Sequence, residues 1–408
     1  MSQHNGGNEG DDGFRDLIVQ TARCTLDMVQ ASGAQLETAE QEQIKSILGY
    51  ALRLERAWDV ARQLLLLATP LMEMKGERRD WIEYLEWAIK ICQRRADRSS
   101  LALLQYHNSL LYRLLGEFAT AWHYANAAVD NFSEEGNLRK QAVALAERAW
   151  VEQLQGDYAS ATASVQQALY LLLAHSSDEA QDPEVSNCYR VLGTIALNQA
   201  DYPTAEQYYR LALTRLQQQG DQRRMAWGLH NLGLVLNRQK QYQAAIPYFQ
   251  QAAALMEEVG DSYHLAHAYF NWGEAHIQLG EAQEALHCYR WAIPIYQELD
   301  DKFRLSLIQT DVGLALLRLG NPAAASHAFE ASVKLAIVLK ADFWRLNAMD
   351  GLGDAYTQNH EAKKALVVLE GAIRDLPLIY NHPNYTELAA SLALHLEAAR
   401  RSLDDDEG

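Results

Sequence analysis

Residues 231–261 read NLGLVLNRQKQYQAAIPYFQQAAALMEEVGD, and residues 271–301 begin the same pattern again as NWGEAHIQLGEAQEALHCYRWAIPIYQELDD. Each block has the apolar spacing of a helix, a turn and a second helix. Gly233 on the first helix and Ala245 on the second are small, which lets the two backbones approach closely. Ala252 leaves room for the first helix of the next block. A lone helix pair cannot bury its apolar stripe, so it must stack on a copy of itself.

The turn inside each block gives a ruler. It falls at Gly76, Gly116 and Gly156, then at Ala200, Lys240, Gly280, Gly320 and His360. Every interval is 40 residues except the 44 between Gly156 and Ala200, where the polar segment HSSDEAQDPEV lengthens one loop. Helix N-caps are expected at Asp97, Asn137, Asp182, Asp221, Asp261, Asp301 and Asp342, each satisfying an unpaired backbone N–H. The first helices carry Gly193, Gly233, Gly273, Gly313 and Gly353 at one fixed position. The second helices carry Ala121, Ala161, Ala205, Ala245, Ala285, Ala325 and Ala365, with a bulky knob four residues on at Tyr209, Phe249, Tyr289, Phe329 and Leu369. A mid-helix glycine costs roughly 1 kcal/mol against alanine, so its recurrence implies that close packing returns more. The fold class is therefore all-α, an α-solenoid of antiparallel helix pairs.

Domain organisation follows the rulers. Residues 1–13 are expected to be a disordered tail, 14–96 degenerate helical repeats, and 97–375 the regular array. A capping helix over 376–403 and an acidic tail over 404–408 complete the chain.

A net charge of −17 argues against nucleic acid as a partner, because phosphate binding needs clustered Lys and Arg. The longest greasy run, Leu64 to Met72, is too short to span a bilayer, and no membrane association is expected. Cys24, Cys92, Cys188 and Cys288 lie far apart without a CxxC, which points to reduced thiols in a cytoplasmic protein. His264 and His267 have the spacing of two metal ligands on one helix, but no third ligand accompanies them. Phosphate-binding loops, nucleophile elbows and Rossmann glycines are absent, so neither catalysis nor a cofactor is expected.

The Leu-Gly, Ala, Phe/Tyr, Ala offsets resemble the tetratricopeptide repeat, closely over 185–375 and more loosely over 97–174. The forty-residue period is similar to that of kinesin-light-chain and Pins-type adaptors, and to the sensor arms of bacterial STAND-class signalling ATPases. The resemblance implies a right-handed superhelix with a concave face lined by the first helices, where a protein or peptide segment would bind. Its contact positions lie six, three and two residues before the first-helix Gly and one after it. They transfer to Asn187 and Arg190; Trp227, His230 and Asn231; His267, Phe270, Asn271 and Glu274; Asp311; and Asn347, Asp350 and Asp354. Asn237 and Arg238 lie one turn further along. Asn231 and Asn271 could clamp an extended backbone, since an amide both donates and accepts. Charge along this face is graded: Arg190, His230 and Arg238 come first, Glu274, Asp311, Asp350 and Asp354 later.

The expected function is a scaffold or adaptor. A ligand-sensing regulatory subunit is the alternative, an enzyme or metal protein a further one. Self-association through 14–96 or through the terminal helix is also left open.

Overall fold

A computed structural model describes residues 8–32, 37–75, 78–175 and 182–407. Gly33, Gly76, most of the polar insertion and Gly408 lie outside the described residues. The protein is all-α, an α-solenoid of consecutive helix pairs, and the described residues contain nineteen α-helices and no strand. The chain divides into two compact units. The first runs to Val235 and includes Leu255–Asp261; the second comprises Leu236–Ala254 and everything from Ser262 onward.

Two turn rulers merge into one. Left-handed residues occur at Ala96, Gly116, Gly136, Gly156, Ala200, Gly220 and Gly260 in the first unit. In the second they occur at Lys240, Gly280, Asp300, Gly320, Lys340 and His360. Apart from the insertion, each stands 20 residues after the last. Turns within a pair and turns between pairs therefore share one geometry. In all of them but the Gly220 turn, where Gly220 itself donates to Leu216 at 3.0 Å, the residue after the left-handed one donates its N–H five residues back: Glu117 to Tyr112 (2.9 Å), Asp201 to Ala196 (2.9 Å), Asn321 to Leu316 (2.9 Å). This closure satisfies carbonyls that the helix end leaves unpaired.

The caps follow from the turns. Asp97, Asn137, Asp221 and Asp301 accept the N–H three residues on, at 3.0–3.2 Å, and Asp182 accepts that of Glu184 at 2.9 Å. Asp342 does not cap. The left-handed residue at Lys340 puts Ala341 in the cap position, and the Asp342 carboxylate meets Arg345 at 3.2 Å instead. Asp157, Asp201 and Asn321 cap second helices in the same way.

The first-helix glycines make room for the knobs. A Cβ on Gly193 would lie 2.8 Å from the Tyr209 ring, and one on Gly273 would lie 2.3 Å from the Tyr289 ring. Gly313 faces Phe329 at 2.6 Å and Gly353 faces Leu369 at 2.4 Å in the same sense. Tyr209, Tyr289, Phe329 and Leu369 are all buried, so no ring or branch can swing aside. Gly351 makes room for the other edge of the Phe329 ring.

At the amino end, α1 (Asn8–Ser32) starts six residues before Phe14, so residues 8–13 are helical and not tail. It packs with α2 (Thr38–Ala51) and α3 (Trp58–Lys75), while α4 (Arg78–Arg95) joins α3 to α5 (Arg98–Leu114). One core runs from Ile18 to Leu111, pinned by the Trp81 indole donating to Thr69 at 2.8 Å. At the carboxyl end, α19 (Tyr385–Glu407) extends four residues past the expected Leu403. It packs on α17 (Asp342–Gln358) and α18 (Ala362–Asp375).

Candidate functional site

In the first unit, the first helices are α5, α7 (Leu138–Leu154), α9 (Pro183–Asn198) and α11 (Gln222–Arg238). Their side chains build a row of cations and indoles. The Arg113 guanidinium lies 5.7 Å from the Trp150 ring, and Arg190 lies 5.4 Å from Trp150 and 4.6 Å from Trp227. Arg223 covers Trp227 at 4.6 Å. Such contacts are electrostatic attractions between a cation and the ring face, stronger where water is excluded. Ion pairs tie the row down: Arg113 to Glu147 at 2.7 Å, Arg223 to Asp261 at 2.9 Å, and Arg224 to Glu184 at 2.8 Å. The Trp227 N–H donates to the same Asp261 carboxylate at 3.3 Å.

The row is diagonal. Arg113 is the last residue but one of α5, whereas Arg223 is the second residue of α11. The last turn of α3 closes it, because Glu73 reaches Arg223 at 3.4 Å across 150 residues of sequence.

Arg190 stands at the centre. It is 9% exposed, and its Nε and Nη1 have no hydrogen-bond partner among the described residues. Burial, with Arg224 and Arg113 nearby, pushes its pKa down to about 9, so it stays charged at neutral pH.

The remaining expected contacts of the first unit are less engaged. Asn187 and Asn231 are half-buried, and His230 is buried. Arg223 and Glu73 escape a reading by fixed offsets. Ser109 and Ala149 stand where later repeats have the anchoring Gly, which hides the phase, although the turns at Gly116 and Gly156 restore it and then put Trp150 one residue after that position, as Glu274 is, and Arg113 four after it, as Asn237 is. The diagonal also shifts the contributing position by about one helical turn per repeat.

In the second unit the corresponding face is acidic. Asp311 on α15 (Lys302–Arg318) accepts the Tyr289 hydroxyl at 3.2 Å. Burial, then the Glu274 charge, push the Asp311 pKa up to about 7. Burial also raises Glu274, against the pull of Arg238 and Arg304. Arg238 itself is exposed.

Several residues expected in a groove are committed to the fold here. Asn271 is buried and donates to the His267 carbonyl of its own helix at 2.8 Å, and Asn237 donates to the Asn271 carbonyl at 3.3 Å. Phe270 is buried with its ring 6.4 Å from that of Tyr289. His267 packs on Tyr263 at 4.6 Å and on Tyr296 at 5.8 Å. Asp350 is bound by α19, accepting Ser391 at 2.6 Å and pairing with His395 at 2.7 Å. Asp354 accepts from Gln358 at 3.0 Å, and Asn347 is half-buried. No helix of the described residues is long and apolar enough to cross a membrane. No group of three metal-ligating side chains occurs among them.

Residues 224–298 match the family model of the tetratricopeptide repeat. None of the curated protein sequences matches the chain significantly. Among solved structures, a Rap protein complexed with Competence and Sporulation Factor is similar over 96% of this chain and 99% of its own, with 14% identity and a TM-score of 0.56. A STAND protein with a tetratricopeptide repeat sensor from Pyrococcus horikoshii covers 83% of this chain at 13% identity and a TM-score of 0.61. This chain spans about half of that one, 49%. The apo quorum sensor NprR of B. thuringiensis covers 79% of this chain and 88% of its own, at 15% identity and a TM-score of 0.53. At such identities the likeness is one of fold. The family model assigns tetratricopeptide repeats to residues 224–298, and the twenty-residue turns and glycine–knob contacts carry the same helix-pair packing, with a forty-residue period, beyond them.

Proposed function

We propose that this protein is a non-catalytic, cytoplasmic binding scaffold that holds a peptide or a protein segment along its first helices. The row in the first unit is its main contact. In this reading residues 97–375 form the binding array, 14–96 support it and 376–403 cap it. One observation carries the reading: Arg113, Trp150, Arg190, Trp227 and Arg223 come from four successive repeats and meet in one row. Indole and guanidinium groups are the side chains that most often dominate binding energy at interfaces.

The test is binding of a defined peptide array to the full chain, followed by Trp227→Ala. Truncating an indole anchor should weaken bound peptides by about thirtyfold. Trp291→Ala, at an indole that is 53% exposed on α14 (Ala282–Glu298), should leave them unchanged. Peptides that bind both variants as tightly as the native chain would remove the row from the function.

A sensing role is the second reading, favoured by the two structural neighbours described as sensors. Solution scattering with and without a bound peptide separates the two: a scaffold keeps its dimensions and a sensor changes them.

A further inference from the structure

Where α2 ends, α3 begins and α4 ends, the first unit holds a hollow of about 380 Å³. Its floor is apolar, for Leu52, Trp58 and Ile91 are buried. Its walls are cationic: Arg53, Arg94 and Arg95 line it, with Glu55 as the only acid among the lining residues. The lining thus has two positive charges in excess, in a chain whose net charge is −17. Cations are favoured at the ends of α2 and α4, but that preference does not call for a hollow between them. The arginines are also lightly engaged. Arg53 rests on the Trp87 ring at 5.5 Å, and Arg94 donates to the Lys90 carbonyl at 3.3 Å; neither pairs with a carboxylate among the described residues. Arg95 covers the Trp58 ring at 5.8 Å and meets Glu55 at 3.2 Å. The Glu55 side chain is 92% exposed, so that pair is weak and an incoming anion can replace it.

We propose that this hollow binds a small phosphate monoester, with its charged head on Arg53, Arg94 and Arg95 and its apolar body on Leu52, Trp58 and Ile91. Small-ligand sites span roughly 300–1,000 Å³ and combine an apolar lining with a few polar groups that fix orientation. The volume here suits a compact metabolite. Guanidinium forks match phosphate oxygens in pairs, and a monoester at neutral pH carries about the two charges that the lining lacks. The site lies within residues 52–95, outside the array of 97–375, so it stands whether or not the row binds a peptide.

The test titrates the full chain at neutral pH and constant ionic strength, with binding read by calorimetry and by indole fluorescence. Phenyl phosphate should bind saturably. Inorganic phosphate lacks the apolar body and benzyl alcohol lacks the charge, so each should bind at least about tenfold more weakly. Arg53→Gln and Arg94→Gln should each weaken phenyl phosphate by about tenfold with the unfolding temperature unchanged, because neither side chain holds an ion pair among the described residues. Arg79→Gln, at the opposite end of α4, removes the same charge and should leave binding as it is. Two further probes fix the ligand class: phenylsuccinate offers two carboxylates, and N-acetylphosphotyrosine amide offers the phosphate on a peptide. Neither should bind more tightly than phenyl phosphate. The proposal is overturned if either does, if inorganic phosphate binds as well as phenyl phosphate, if phenyl phosphate gives no saturable response, or if that response is lost in all three arginine variants or in none.

Discussion

The two units present opposite chemistry on the same helical framework. In the first unit, arginines and indoles alternate along a diagonal, each held by a neighbour from the next repeat, with Arg190 left unsatisfied at the centre. In the second, the charge of half-buried Glu274 works against ionisation of half-buried Asp311, and Asp350 is taken up by a helix of the chain itself. The glycine–knob packing beneath is alike in both, with Gly193 against Tyr209 in one unit and Gly273 against Tyr289 in the other. Repeat architecture thus separates two jobs. A few small and bulky positions fix the stack, while the lining is free to diverge.

The largest expected effect tests the shared part of that comparison. Gly193→Leu and Gly273→Leu should each destabilise the fold by about 1–3 kcal/mol through overpacking, read as a lower denaturant midpoint. Gly228→Ala is the control. Its Cβ would meet Leu213 at an ordinary 3.6 Å, so it should be neutral or stabilising by up to about 1 kcal/mol. Unequal costs at Gly193 and Gly273 would mean that the units are not built alike.

The next effect tests the acidic lining. Burial and Glu274 raise the Asp311 pKa to about 7, so the folded protein resists ionising it. A raised carboxyl weakens the fold as pH climbs from its unfolded value through the folded one. Native protein should therefore lose stability between about pH 4 and 7 relative to Asp311→Asn, which keeps an acceptor for Tyr289. Parallel pH profiles for the two proteins would show that the acids are not in conflict.

The smallest effect concerns the cover. The hydrogen bond to Asp350 raises the pKa of His395 against the opposing effect of burial. A raised histidine adds stability that is complete below its unfolded pKa, about 6.5, and is lost as pH rises through the folded value. Above that point the α19 contact should loosen, seen as faster amide exchange in residues 385–400. His395→Gln should remove the pH dependence while leaving the Ser391 contact in place. Unchanged exchange across this range in the native chain would mean that packing alone holds α19.

Much of this protein is written in its sequence, because the signals are local and recur. Glycine and alanine at fixed offsets, caps before first helices and the forty-residue interval specify helix pairs before any contact is known. The failures there are small and physical. Asp342 missed the cap position by one residue because Lys340 turns left-handed first, and residues 8–13 belong to α1. The lining was only half legible. Arg190 and Trp227 could be named from offsets, and Trp150 and Arg113 hold the same offsets in repeats that lack the marker glycine, but Arg223 and Glu73 could not. Their meeting depends on the slant between successive helices and on α3 returning 150 residues away from Arg223. Asn271, Phe270 and Asp350 show the reverse: a position facing a groove by count is claimed by its own helix, by a ring, or by α19. Sequence determines which residues repeat, since periodicity is a property of the chain. Tertiary structure decides which of them remain available, since a side chain's partners are chosen by proximity in space.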